Sequence, residues 1–187
     1  AANTAMRCAI NTAVQRGLPT VAECGGFLYL GRTLQDADGT PHPMAGVLPG
    51  QGFKVGRLVR FGYARLTARA DSMLFRAGET LPVHEFHHWD STENGDAFTA
   101  AKANGRQWAC GFANERLYAG FPHLYWAGTP LPKRFAAAAE HYIKETSSKQ
   151  AKHLRTLCTA NPSQALQQAN CTITTMQKDL STCSVFR

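Results

Sequence analysis

The chain has 187 residues, enough for one good hydrophobic core with room for one appended element. Its 44% hydrophobic and 18% charged residues are those of an ordinary globular domain, and no apolar run approaches the ~20 residues of a membrane-spanning helix. The formal net charge of +7 is spread: residues 143–187 carry six basic and two acidic residues and the rest is interspersed. Without a basic stripe interleaved with aromatics, nucleic acid is excluded as a partner of the main domain.

The opening residues Ala1 to Arg7 have no apolar run behind a basic start, so they are no signal peptide. They read as the middle of a helix without an initiator Met, and the expectation is a sequence that begins inside a longer protein. Ala5 to Arg16 is predicted helical, with Met6, Ala9, Ile10, Ala13 and Val14 on one face and Gly17 as its C-terminal stop.

Pro19 to Gly31 organises everything after it. Thr20, Val21 and Ala22 suit a short buried strand, and Phe27, Leu28 and Leu30 begin a helical pattern that Gly31 ends. Between them stand Glu23, Cys24, Gly25 and Gly26. Strand, cysteine, glycines, helix is the layout of a nucleophile elbow with a thiol in place of a serine. Gly25 and Gly26 would supply the sharp turn. A helix N-terminus would favour the thiolate, and its first N–H groups, which lack partners in the helix, would hold an oxyanion. The same cysteine also suits a small buried apolar residue.

Further along, residues 36–41 form a turn and Pro49-Gly50 a break; Val59 to Thr67 alternates as a strand. Residues 74–79 turn into Leu81-Pro82-Val83, and strands are expected over Ala97–Ala100, Trp108–Phe112 and Leu117–Phe121. Pro130 to Tyr142 reads as a helix with Phe135, Ala138, Ala139 and Tyr142 inward. From residue 143 the chain is rich in Ser, Thr, Gln and Lys. It is expected to be a separate basic tail, either a loose amphipathic hairpin or disordered, after a domain at residues 1–142. The six cysteines form no Cys-x-x-Cys pair, which points to a reducing, cytoplasmic setting.

Three constellations bear on chemistry. His123, where a strand ends about a hundred residues after Cys24, fits a base that takes the thiol proton; it also suits a histidine hydrogen-bonded beneath its aromatic neighbours. His84-Glu85-Phe86-His87-His88 matches the His-Glu-x-x-His pattern of zinc peptidases, which works only on a helix. Its flanks read as strand into turn, where His84 and His88 lie roughly 13 Å apart, so no metal site is assigned and Glu115 gains no role as a third ligand. No Gly-x-x-x-x-Gly-Lys-Ser/Thr occurs, so the chain carries no phosphate loop.

Taken together, Pro19–Gly31, Arg60-Phe-Gly-Tyr-Ala64, His84-Glu-Phe-His87 with Trp89-Asp90-Ser91-Thr92, and Ala119–Tyr125 resemble, in order, the cobyrinate a,c-diamide synthases of the anaerobic bacterial type. The resemblance covers roughly residues 1–142 and concerns the C-terminal, CobB/CobQ-like class I glutamine amidotransferase domain. It implies an α/β fold, a three-layer mixed sheet with flanking helices of flavodoxin-like type. It implies Cys24 as the nucleophile that forms a glutamyl thioester, with His123 raising its nucleophilicity. Glutamine would be the substrate, and ammonia would pass to a synthetase domain that uses ATP and Mg²⁺ to amidate the a- and c-carboxylates of cobyrinate. That domain, and the strand and Gly-rich loop expected before residue 1, are not in the sequence, so the fragment alone is expected to be incomplete.

Many class I amidotransferases carry a Glu two residues after the histidine; here Tyr125 stands there, which leaves a Cys–His dyad, with Glu85 as a candidate to orient His123. Glu23, His84, Glu85 and His87 are candidate pocket residues, the last three equally suited to bridging strands by hydrogen bonds. Trp89 and Tyr125 read as core or interface. A remnant that only binds a partner, a thiol hydrolase on a similar fold, and a homo-oligomer remain open.

Overall fold

The computed structural model describes residues 2–160, with side chains through 152, and its contacts divide the chain into units at Ala1–Tyr142 and Ile143–Arg187. The predicted 161–187 part of the tail lies outside the described residues. In the first unit, α1 (Thr4–Gln15) starts at a true cap: Asn3 Oδ1 accepts from the Met6 N–H at 2.9 Å. The opening residues are therefore a helix start and not a helix middle. Its inner stripe is Ile10, Asn11, Ala13 and Val14, all half-buried, whereas Met6 and Ala9 face solvent. Gly17, at φ 85°, ends the helix as expected.

Strand β1 (Thr20–Glu23) leads through Cys24 into α2 (Gly25–Leu30). Two short strands, β2 (Thr33–Gln35) and β3 (Pro41–Pro43), form a hairpin around the predicted 36–41 turn. Then β4 (Gln51–Ala68) and β5 (Thr80–Ser91) pair antiparallel along most of their length. They are followed by β6 (Phe98–Ala101), β7 (Gln107–Cys110), β8 (Phe112–Ala113), β9 (Leu117–Gly120), β10 (His123–Leu124) and α3 (Leu131–Ala160).

The strands make two sheets. A three-stranded one runs β1-β9-β8, with β1 parallel to β9 and Glu23 opposite Gly120. A seven-stranded one runs β10-β5-β4-β2-β3, with β6 joined to β4 and β7 to β6. The predicted strand Trp108–Phe112 is cut in two because Gly111 sits at φ 76° and turns the chain from the large sheet to the small one.

Strand β9 is buried on both faces, so the two-residue period of a strand divides it between two cores. Tyr118 joins Leu66, Phe75, Phe98 and Leu131 on one side. Leu117 and Ala119 join Phe27, Leu30, Leu48 and Phe121 on the other. Strand β1 divides likewise, Val21 toward the first core and Ala22 toward the second. The elbow that follows β1 is thus anchored in both.

In α3, Leu131 is buried and Phe135, Ala138, Ala139 and Tyr142 are half-buried, the inward set the sequence predicts. Residues 143–160, in the second unit, are helical rather than a loose hairpin or disordered; α-helix formers such as Lys144, Glu145, Lys149 and Gln150 suit this state even without an apolar stripe.

Candidate functional site

Cys24 joins β1 to α2 with φ 51° and ψ −106°, a backbone conformation that costs a non-glycine residue about 1–3 kcal/mol. The sequence places the demand for freedom on Gly25 and Gly26; the structure places it on the cysteine. Neither glycine has positive φ. A Cβ on Gly25 would meet nothing within 4 Å, and one on Gly26 would only touch Ala22 at 3.7 Å. What Gly25 leaves, apart from its chain neighbours, is open space where its side chain would be. The Leu28 N–H donates to the Cys24 carbonyl at 3.1 Å, so the N–H groups of Gly25 and Gly26 stand ahead of the helix's own hydrogen-bond ladder.

The resting thiol does not follow the helix-dipole expectation. Burial pushes it above its ordinary value, the Gly25 N–H pulls it down, and the negative charges of Glu85 and Glu23 push it up again. A six-residue helix is too short to outweigh burial and two carboxylates. At neutral pH the sulfur keeps its proton and needs a base to remove it.

Strand β5 holds an imidazole on the edge where the thiol lies. His123 lies opposite His84 in the β10–β5 ladder, and its Nδ1 is 3.0 Å from the His84 carbonyl oxygen. A carbonyl only accepts, so Nδ1 carries the hydrogen, and the neutral ring presents Nε2 as an acceptor. The Cys24 sulfur lies 3.9 Å from the Phe86 carbonyl oxygen, two residues further along the same strand. Alternate carbonyls of a strand point to one edge, spaced roughly 6.6 Å apart, so thiol and imidazole occupy neighbouring positions on the edge of β5. Pro82, which has no N–H to offer, shares that edge just past the end of β10.

The His-Glu-x-x-His pattern lies wholly in β5, in extended conformation as its flanks predict. Strand alternation turns the rings of His84 and His88 to the outer face, where they meet Phe61, Tyr63 and Phe86, and sends Glu85 and His87 inward. Glu85 is fully buried. Its Oε2 accepts from Arg60 Nε at 3.2 Å and lies 2.9 Å from His87 Nε2. His87 stacks on Phe121 at 3.8 Å, and its Nδ1 donates to the Trp89 carbonyl at 2.6 Å. Glu85 therefore serves Arg60 and His87, and the His84 carbonyl, not Glu85, is what orients His123. Trp89 lies in the core as expected, its Nε1 donating to the Gln35 carbonyl at 2.9 Å, while Tyr125 is 62% exposed.

Arg60 is the residue the sequence reading passed over. It sits at φ 50° inside the second register shift of β4, between Val59 and Gly62, forks onto Asp90 at 2.7 and 3.2 Å, and lies 5.4 Å from the centre of the Phe121 ring. Arg60 and Asp90 stand in two of the quoted family segments, and the visible signal was an arginine amid strand residues next to Gly62. Glu23 also acquires a position: its Oε1 accepts from the Leu124 N–H at 3.2 Å and from Trp126 Nε1 at 3.4 Å.

A thiol, an imidazole on the same strand edge and two N–H groups ahead of a helix are the kinds of group that acyl transfer through sulfur needs. Comparison with known proteins agrees in kind. Residues 1–130 match the model of the CobB/CobQ-like glutamine amidotransferase domain. Among curated relatives, the cobyrinate a,c-diamide synthase of Salmonella typhimurium is 36% identical over 149 residues, 76% of this chain and 32% of the relative. That of Caldanaerobacter subterraneus is 33% identical over 125 residues, 65% of this chain and 28% of the relative. The hydrogenobyrinate a,c-diamide synthase of Thermobifida fusca is 39% identical over 145 residues, 74% of this chain and 29% of the relative. The chain thus spans about a third of the length of the curated relatives it matches. On the family match over residues 1–130, the chain belongs to the CobB/CobQ-like glutamine amidotransferase domain family.

Proposed function

We propose that this chain is the glutaminase part of a cobyrinate a,c-diamide synthase. The observation that carries the reading is the shared edge of β5, with the Cys24 sulfur at the Phe86 carbonyl and the His123 imidazole at that of His84. His123 Nε2 takes the thiol proton as sulfur attacks the side-chain carbonyl carbon of glutamine. The N–H groups of Gly25 and Gly26 hold the oxygen as it becomes negative. The imidazolium returns the proton to the amide nitrogen, the carbon–nitrogen bond breaks, and ammonia leaves a glutamyl thioester on Cys24. Water, deprotonated by the same imidazole, attacks the thioester carbon; the carbon–sulfur bond breaks, glutamate leaves, and the imidazolium returns the proton to the Cys24 sulfur.

In the full enzyme the ammonia would replace an activated oxygen on the a- and c-carboxylates of cobyrinate. ATP and Mg²⁺ make that activation possible, because a carboxylate is a poor electrophile until one oxygen becomes a leaving group. The residues here do not fit them. Glu85 and Asp90, acids near the elbow, are committed to Arg60 and His87, and among the described residues no three His, Cys, Asp or Glu side chains group to hold an ion. We assign the nucleotide to the synthetase part. A three-layer, flavodoxin-like core is the architecture we infer for the domain, supported by the parallel β1–β9 pair with α2 at its end.

The test is covalent capture by a labelled diazo-oxo-norleucine, read by mass spectrometry. Label on Cys24, lost in Cys24→Ala and slowed at least 100-fold in His123→Ala, supports the reading. No capture by the folded chain leaves a partner-binding remnant, and cleavage of peptides without glutamine turnover a thiol hydrolase.

A further inference from the structure

Strand β10 has a weakness that the site cannot tolerate. It is two residues long and lies at the edge of its sheet, paired with β5 only at His123 and Leu124. The Leu124 N–H makes its hydrogen bond outside the sheet, to a carboxylate and not to β5. Leu124 is only 7% exposed, and a buried N–H without a partner costs about 1–3 kcal/mol. Something other than the sheet must hold this segment if the imidazole is to stay where the thiol needs it.

We propose that Glu23 is the positioning residue of this site: its carboxylate, from the strand end that carries Cys24, clamps the segment that carries His123. The inference rests on the reading of Cys24 as nucleophile and His123 as base. One oxygen, Oε1, accepts from the Leu124 N–H at 3.2 Å and from the Trp126 indole N–H at 3.4 Å. The next residue, Cys24, donates its own N–H to the Gly120 carbonyl at 2.8 Å. Residues 120–126 are thus strapped at both ends to the elbow, and the His84 carbonyl fixes the ring from the other side. Trp126 in turn packs edge-on against Phe135, so the clamp joins a supported side chain.

Tyr125 points to solvent, so a carboxylate two residues past the histidine would find no imidazole to meet in this arrangement. Glu23 does the holding from the opposite strand. It acts on the backbone and not on the ring, and so touches no reacting atom. Its charge has a second effect, since Glu85 and Glu23 are the two charged groups that disfavour the Cys24 thiolate. Anchoring and charge separate on substitution: Gln keeps the accepting oxygen and drops the charge, while Val, suited to a strand, removes both.

The experiment uses the whole chain with ¹⁵N-labelled histidine. Three quantities are read: the His123 Nδ1–H resonance, the capture rate of diazo-oxo-norleucine at Cys24, and the pH midpoint of Cys24 alkylation by iodoacetamide. In Glu23→Val the resonance broadens away and capture slows at least tenfold, while alkylation of the fully ionised thiol keeps its rate. In Glu23→Gln the resonance persists, most of the capture rate returns, and the alkylation midpoint moves to lower pH. The proposal is overturned if Glu23→Val leaves resonance and capture as they were, or if Glu23→Gln loses both as Val does. Should Glu23→Val not fold, Glu23→Ala, which also removes the accepting oxygen, takes its place: a lost resonance there with a kept one in Glu23→Gln supports the clamp, and a kept resonance in Glu23→Ala or a lost one in Glu23→Gln refutes it. A native chain that captures no analogue refutes the functional reading instead, and the imidazole resonance alone then decides the clamp.

Discussion

Arg60→Met tests the buried ionic network beneath the elbow. Arg60 is 13% exposed at its side chain, its partner Glu85 is 1% exposed and Asp90 17%. Met keeps most of the stem and removes the charge. Two carboxylates then share a pocket whose cation is gone, and breaking a buried pair from one side costs about 3–5 kcal/mol. Denaturant unfolding of the whole chain reads this as a lower midpoint at unchanged slope.

A double-mutant cycle with Asp90→Asn isolates the pair, and a coupling of at least ~1 kcal/mol is expected. The pH dependence adds a sign. Burial pushes Asp90 up, but hydrogen bonds and charge from Arg60, with the Ser91 N–H and Asn94, outweigh it and hold the carboxyl below its usual value. A depressed carboxyl stabilises fully above the unfolded value of about 3.9, and the stabilisation is lost as pH falls through the folded one. The gap between native and Arg60→Met should therefore narrow below about pH 4. A midpoint change worth less than ~1 kcal/mol, or additive single substitutions, would refute the reasoning.

Three further outcomes follow from single features. Cys24→Gly should be about 1 kcal/mol more stable than Cys24→Ala, because both remove the thiol and only glycine relaxes φ 51°; equal melting would deny the strain. Gly111→Ala should lose about 2–4 kcal/mol, from φ 76° together with a Cβ 2.7 Å from the Phe98 ring, and a native-like melting temperature would contradict it. The Arg134 fork holds Glu79 down at about 2, so its stabilisation is present above the ordinary value and fades as pH falls toward 2. In Arg134→Ala a carboxyl NMR titration should find Glu79 moved up from about 2 toward the ordinary carboxylate value, with the Arg76 N–H still pulling it down.

The elements easiest to read were those with one strong signal. Val59–Thr67 alternates and is the heart of β4, and Pro19–Gly31 gives strand, turn and helix within a residue or two. The first half of β4 follows the Pro49-Gly50 break and is interrupted by Gly52 and Gly56, so it shows no clear alternation; Gly52 serves close packing, a Cβ there lying 2.6 Å from Leu34, while Gly56 supplies a φ of 76°. Strands β2 and β3, three residues each, are too short to show a period.

At the site, Cys24 stands out in the sequence because it follows a strand; His123, expected where a strand ends, instead opens β10, three residues after β9 ends at Gly120. Their shared edge was not legible, since it depends on β5, a strand that pairs with both β4 and β10. Arg60 escaped because its φ and its forked partner are long-range consequences of the β4 irregularities. The depressed thiol expected from a helix end failed chiefly because burial of the sulfur, and the Glu85 carboxylate brought in from β5, are tertiary effects; Glu23, the neighbour in sequence, adds to them.

The most direct measurement is to quench the chain during incubation with glutamine and map the adduct by mass spectrometry, in native protein and in His123→Ala. The account predicts one γ-glutamyl group, on Cys24 alone, forming far more slowly without the imidazole. Ammonia released with no adduct on Cys24, or an adduct that forms equally fast without His123, would contradict it.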